Sequence, residues 1–162
     1  MTLTLWRSVR AAHAATAFTG DGAARYPGRY NAAGVRAVYL ADCPAGCALE
    51  LVVSYAAPEA LATHLLFEVQ IDAALMDLRS SAAQKRYDVT VAALTTPNDY
   101  AAARRVGARL VAEGRPGAIV PAATVSQAFN VVIYPDIWSG FDVKDPTPLA
   151  VDRRLLARLG GR

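Results

Sequence analysis

Lysine is nearly absent from this chain of 162 residues: only Lys85 and Lys144 occur, and the other cationic residues are scattered arginines. Charged residues make up 19%, the formal net charge is +3, and no dense Lys/Arg run offers a nucleic acid an electrostatic footprint. Direct nucleic-acid binding is therefore not expected. Cysteine is as sparse. Cys43 and Cys47 have no third or fourth ligand cluster beside them, and His13 and His64 lie far off in sequence, so the four-ligand set of a structural zinc site is missing and no metal is expected. Two small buried thiols in a reducing compartment are the plainer reading. No apolar run approaches the length of a membrane span, and the opening MTLTLWRSVR has neither a long apolar core nor a cleavage signature. The expectation is a cytoplasmic protein with no membrane association. Also missing are a Walker A lysine, a GxGxxG that opens a helix, and a nucleophile-elbow setting for either histidine.

What is present is concentrated between Asp21 and Leu40. Gly22, Gly28 and Gly34 and a Pro27 kink surround Arg25, Arg29 and Asn31, with Tyr26, Tyr30 and Tyr39 interleaved. The stretch is too rich in turn residues for a helix and too aromatic and cationic for an idle linker. Arginine offers a planar fork for pyrophosphate or carboxylate, tyrosine a face for an aromatic ring, and glycine close approach of backbone N–H groups. A nucleotide satisfies all three. The hydrophobic fraction of 54% is inflated by alanine and valine, so part of the surface is either weakly charged or covered by another chain.

The length fits one domain, 1–162, with its own core. Strands are expected at Thr2 to Val9, Val35 to Ala41, His64 to Asp72, Ala118 to Pro121 and Phe129 to Tyr134, with a further one at Leu149 to Val151. In the third of these, Glu68 and Gln70 face one way and Leu65, Phe67, Val69 and Ile71 the other. Helical segments are expected around Ala11 to Ala17, from Pro44 to about Tyr55, and from Asn98 to Glu113, the last closed by Gly114. The stretch from Ser80 to Thr96 fits either type. No regular βαβ alternation appears, which argues for an α+β fold. Arg104, Arg105 and Arg109 read as a solvated face or a partner interface.

Glu50 is the only charged residue between Asp42 and Glu59, inside the apolar run CPAGCALELVVSYAA, a helix expected to be buried on nearly all sides. A lone carboxylate there is costly unless paired. It is either a solvent-facing glutamate on one exposed stripe, a partner for a core arginine, or a functional group that meets Tyr39 and the loop.

The ordered set LWRSV, FTGDGAARYPGRYNAAG, AVYLA, CALELVV, GAIVPAATV, FNVVIYP and VDRRLLA resembles the RES-domain family, toxins of RES–Xre toxin–antitoxin modules. The resemblance implies a compact α+β fold similar to ADP-ribosyltransferases, with mixed β-sheets flanked by helices. It also implies NAD⁺ as substrate: the nicotinamide–ribose bond is split and ADP-ribose passes to water, to phosphate or to a protein target. The family's essential arginine falls on Arg29, its tyrosine on Tyr39 and its glutamate on Glu50, the catalytic set this resemblance implies. Tyr30, Asn31 and, from the first strand, Arg7 join Arg29 and Tyr39 as candidate NAD⁺ contacts. The partner it implies is a cognate Xre-type antitoxin, in a hetero-oligomer with the toxin. Two positions depart from the pattern. Ala122 stands where a serine is expected, with Thr124 and Ser126 as nearby hydroxyls, and Ser54 replaces a histidine one turn after Glu50. The competing expectation is a catalytically attenuated nucleotide-binding or assembly module.

Overall fold

A computed structural model of the chain describes residues 2–54, 58–152, 154 and 157. Its centre is one mixed sheet. The strands are β1 (Leu3–Arg10), β2 (Val38–Ala41), β3 (His64–Ile71), β4 (Met76–Asp77), β5 (Gly117–Pro121), β6 (Phe129–Ile133), β7 (Asp142–Val143) and β8 (Thr147–Pro148). They run in the order β4-β5-β6-β2-β1-β3-β7, with β8 also on β3, and only the β4–β5 pair is parallel.

The sheet is really two halves joined by a narrow seam. β1 and β3 stay in register from Leu3–Ile71 to Arg10–His64, and β2 and β6 from Val38–Ile133 to Ala41–Asn130. Between the halves, β1 and β2 pair only at Trp6–Ala41. Strands that diverge on either side of one pair leave room between them, and the cavity described below has β1 and β2 residues in its wall.

Alternation along the strands sends residues to two cores. Ala118, Val120, Val132 and Tyr134 meet the helices α3 (Ser81–Tyr87), α4 (Val91–Thr95) and α5 (Ala101–Ala112) through Tyr87, Leu94, Val106 and Leu110. On the opposite face Leu5, Val38, Leu40, Val69, Ile71, Ile119, Val131 and Ile133 form a second cluster closed by Phe18, Trp138 and Phe141. The stretch that fits either type from sequence becomes the two short helices α3 and α4. Ser80 and Thr90 cap them by accepting from the N–H groups of Ala83 and Ala93, satisfying donors that a helix start leaves unpaired.

Several expectations need correction. The Asp21–Leu40 segment is not free of helix: a five-residue turn, α1 (Asp21–Arg25), starts after Gly20 in the left-handed region at φ 77°. The long helix begins at Ala101 rather than Asn98, because Asn98 itself sits at φ 59° and cannot continue a right-handed helix. Gly114, at φ 65°, follows its end as expected. The C-terminal strand lies at Thr147–Pro148, not at Leu149 to Val151; Leu149 instead donates its N–H to the His64 carbonyl and buries its side chain. The helix α2 (Pro44–Ser54) reaches the end of the described stretch, so the expected boundary at Tyr55 lies outside the described residues, as does most of VDRRLLA. Among described residues no helix is long and apolar enough to cross a membrane.

Candidate active site

One side of the site is a loop that consumes its own polar groups. The Asn31 Nδ2 donates to the carbonyls of Ala23, Ala32 and Val35, and its Oδ1 accepts from the Gly28 N–H at 2.9 Å and the Tyr39 hydroxyl at 2.8 Å. The same Tyr39 oxygen accepts the Tyr30 N–H at 2.9 Å. A five-bonded amide and a doubly bonded phenol fix the Gly28–Asn31 turn from beneath. There is no spare room: a Cβ on Gly28 would lie 2.7 Å from the Tyr39 hydroxyl oxygen. Burial raises the Tyr39 phenol well above its ordinary value, so it stays a neutral hydroxyl that can both donate and accept.

Helix α5 presses the loop onto the sheet. Gly107 faces the Tyr30 carbonyl so closely that a Cβ there would be 2.0 Å from its oxygen, and the Tyr134 hydroxyl donates to that oxygen at 3.0 Å. The Tyr30 ring is 2% exposed and packs in the helical core, its hydroxyl without a partner among the described residues. Asn31 is equally buried and lies outside the cavity lining. Of the two, only Tyr30 borders the cavity, and Asn31 acts on it through the loop it ties together.

The cavity occupies about 690 Å³, within the range of small-molecule sites, and is lined by Arg7, Arg29, Tyr39 and Glu50 together. Arg29 Nη1 donates to the Leu94 and Thr96 carbonyls at 3.2 and 2.9 Å, and its guanidinium lies 4.3 Å from the centre of the Tyr100 ring. Those bonds use one nitrogen, and no carboxylate pairs with Arg29 among the described residues. Arg7 crosses the seam of the sheet, donating from Nε to the Ala17 carbonyl at 2.6 Å and from Nη1 to the Tyr39 carbonyl at 2.8 Å. Desolvation pulls its pKa down to about 10, against a smaller opposing influence of Cys47, and no carboxylate neutralises it among the described residues. Both arginines therefore present positive charge to the cavity without a protein counter-ion, the condition that favours an anionic ligand.

Glu50 projects from α2. Its Oε1 accepts from the Asn130 Nδ2 at 3.0 Å and the Thr124 hydroxyl at 3.2 Å, which orients the carboxylate while leaving its second oxygen uncommitted among those bonds. The helix that carries it is not buried all round, contrary to the sequence expectation. Only Cys47 is buried, where burial pushes its thiol up to about 12, while Val53 is 74% exposed and Leu49 is exposed too. The helix α2 is instead a surface helix whose outer face has no cover from the other described residues.

Sequence reasoning missed Asn130, which anchors Glu50 together with Thr124, as well as Tyr100 and Trp6 in the cavity wall. A faint signal existed: Asn130 is the one polar residue in the strand FNVVI. Of the hydroxyls proposed in place of the serine that Ala122 lacks, Thr124 lies in the wall and holds Glu50, whereas Ser126 is exposed and outside it. The arginines of α5 are exposed yet occupied. Arg104 donates to the Gly28 carbonyl, Arg105 to that of Asp88 and Arg109 to that of Arg86, so they fasten loops rather than stand free in solvent.

An α+β domain with a split sheet thus carries a cavity that joins two unneutralised arginines to an oriented carboxylate, a charge pattern that favours an anionic ligand. The RES-domain family model matches residues 4–155, and the chain belongs to that family. Its fold is similar to that of a chain in the M. tuberculosis MbcT–MbcA toxin–antitoxin complex, with a TM-score of 0.79 and 22% identity, covering 100% of this chain and 91% of the other. No curated protein matches the chain.

Proposed function

We propose that this protein is the toxin of a toxin–antitoxin module and cleaves the nicotinamide–ribose bond of NAD⁺. The observation that carries the reading is Glu50: a carboxylate oriented by Thr124 and Asn130 in the same cavity as Arg29 and Arg7. In NAD⁺ the nicotinamide nitrogen is positively charged. When the C1′–N bond breaks, its electron pair goes to the nitrogen, nicotinamide leaves neutral, and positive charge develops on the ribose as in glycoside hydrolysis. Glu50 would accept a ribose hydroxyl and stabilise that cation, with greater effect in an apolar cavity than in water. Arg29, assisted by Arg7, would hold the pyrophosphate, and Tyr39 would keep the turn carrying Arg29 in place. The acceptor oxygen then bonds to C1′: water or a hydroxyl side chain releases its proton to solvent, whereas phosphate attacks through an anionic oxygen that carries none.

The partner in this reading is an Xre-type antitoxin, forming a hetero-oligomer over the cavity mouth. Exposed Tyr26, beside Pro27, and Leu49 and Val53, beside Glu50, supply an apolar surface suited to such cover. The structural relative, described as part of a toxin–antitoxin complex, supports the same reading. Expression of the chain alone should deplete cellular NAD⁺ and arrest growth, and co-expression of the neighbouring antitoxin should restore both. Normal growth and NAD⁺ with soluble protein present would overturn the toxin role and favour an attenuated module, for which the Ala122 departure is the specific indication.

A further inference from the structure

The aromatic rings of the cavity wall are not equally available. Tyr30 is packed in the core, Tyr39 is partly buried, packed against that core and bonded through its hydroxyl, and the Tyr100 ring is covered by Arg29 at 4.3 Å and approached by Arg104 at 5.6 Å. Trp6 differs. It lies in the wall, partly buried, and none of the ring–ring or cation–π contacts among the described residues involves its indole.

Its place in the sheet ties it to the carboxylate. Trp6 is registered against Ala41 and Ala41 against Asn130, the residue whose amide holds Glu50. Directly opposed residues share a face, so Trp6 and Asn130 stand on one side of the sheet two strands apart, about 10 Å between their backbones. A base attached to a sugar beside Glu50 falls within that span.

We infer that Trp6 is the stacking platform for the nicotinamide ring, an assignment that rests on the NAD⁺ reading above and specifies which group of the substrate meets which end of the cavity. The chemistry fits an indole better than the other wall residues. The nicotinamide of NAD⁺ is a flat cation, and tryptophan gives the strongest face for cations among the aromatic side chains. The stacking part of that contact persists while the ring departs, and only its cationic part fades as the charge moves to the ribose, so its removal weakens binding without slowing the chemical step. Trp6 therefore contributes to binding and not to the bond-breaking step, which separates it from Glu50.

Two measurements test this. Trp6→Leu should raise KM for NAD⁺ about tenfold or more with kcat unchanged or slightly higher, and Trp6→Phe should recover most of the loss. A fall in kcat with KM unchanged, or a Phe variant as impaired as Leu, would overturn the assignment. The second measurement uses Glu50→Gln, so that NAD⁺ stays intact, combined with Trp138→Phe, which leaves Trp6 as the sole tryptophan. NAD⁺ should quench Trp6 fluorescence, and ADP-ribose, which lacks nicotinamide, should bind by calorimetry with little quenching. Equal quenching by both ligands, or calorimetric binding with no quenching by NAD⁺, would overturn it. If calorimetry detects neither ligand, the NAD⁺ reading falls and this assignment with it. Should Trp138→Phe fail to fold, the same quench is read as the difference between proteins that retain Trp138 and carry either Trp6 or Phe at position 6.

Discussion

The two walls of the cavity are built by opposite means. The wall carrying Arg29 is saturated: Asn31, Tyr39, Tyr134 and Arg104 all spend their polar groups on the loop, and Gly107 admits α5 against it. The wall carrying Glu50 hangs on a surface helix with one buried side chain and on two hydrogen bonds from Thr124 and Asn130. Rigidity is thus invested where, in the function proposed above, a long anionic ligand is gripped. The carboxylate is steered by few contacts and stands beside the exposed Leu49 and Val53, where a partner chain could reach it. The split teaches that loss at the first wall should appear as binding and stability, and loss at the second as chemistry.

The sharpest way to break that division is Glu50→Gln, which keeps shape and removes charge. We expect kcat for NAD⁺ cleavage to fall on the order of 10³-fold, with little change in Tm by calorimetry. A large drop in Tm with persistent turnover would make Glu50 a structural residue instead. Next in size is Arg29→Lys. Lysine keeps the charge but cannot grip the Leu94 and Thr96 carbonyls and a ligand with one planar fork, so KM should rise roughly 10- to 100-fold. An unchanged KM would remove Arg29 from the binding wall.

Two further substitutions probe the saturated wall through stability. Gly107→Ala forces a methyl group into the Tyr30 carbonyl and should destabilise the fold by about 3 kcal/mol, read in urea denaturation. An alanine as stable as wild type would show that α5 is free to move off the loop. Tyr39→Phe removes a donor to Asn31 and an acceptor for the Tyr30 N–H, and should cost about 1 to 3 kcal/mol near neutral pH.

The same tyrosine shapes the alkaline limb. Burial raises the Tyr30, Tyr39 and Tyr134 phenols above their ordinary 10.0, and the Cys47 thiol from 9.0 to about 12. Each of these acids keeps its proton longer in the folded state, so the stability it contributes is present below the unfolded pKa and is lost as pH rises toward the folded one. Arg7 works the other way, because its pKa is lowered from 12.5 to about 10 and its burial cost eases as pH rises through that window. Four groups outweigh one. Tm should decline steadily from about pH 9 upward, and less steeply in Tyr39→Phe, as scanning calorimetry across that range can show.

Much of the binding wall was legible because its information is local. Gly28, Arg29, Asn31 and Tyr39 fall within one short segment whose composition already marks a tight turn rich in polar groups, and alternation in HLLFEVQI gave β3 with its faces. The carboxylate wall was less legible. Glu50 stands out as a lone charge, but its anchors Asn130 and Thr124 arrive from 80 and 74 residues away, a pairing that depends on the sheet order and not on any local pattern. The burial expected of α2 failed for a related reason: apolar residues on all sides mark a face that needs cover, and the sequence does not say whether its own chain provides it. Trp6 read as an ordinary strand residue, because the narrow seam that opens β1 toward the cavity appears only once β2 is placed beside it.

The central claim is chemical, and nicotinamide release tests it most directly. Purified wild-type chain, free of antitoxin, is incubated with NAD⁺ with and without phosphate, alongside Glu50→Gln, and the products are separated by chromatography. The account predicts many turnovers of nicotinamide per wild-type molecule, an ADP-ribose product whose form identifies the acceptor, and almost none from Glu50→Gln. Intact NAD⁺ after incubation with folded wild-type protein, or equal release by the glutamine variant, would contradict it.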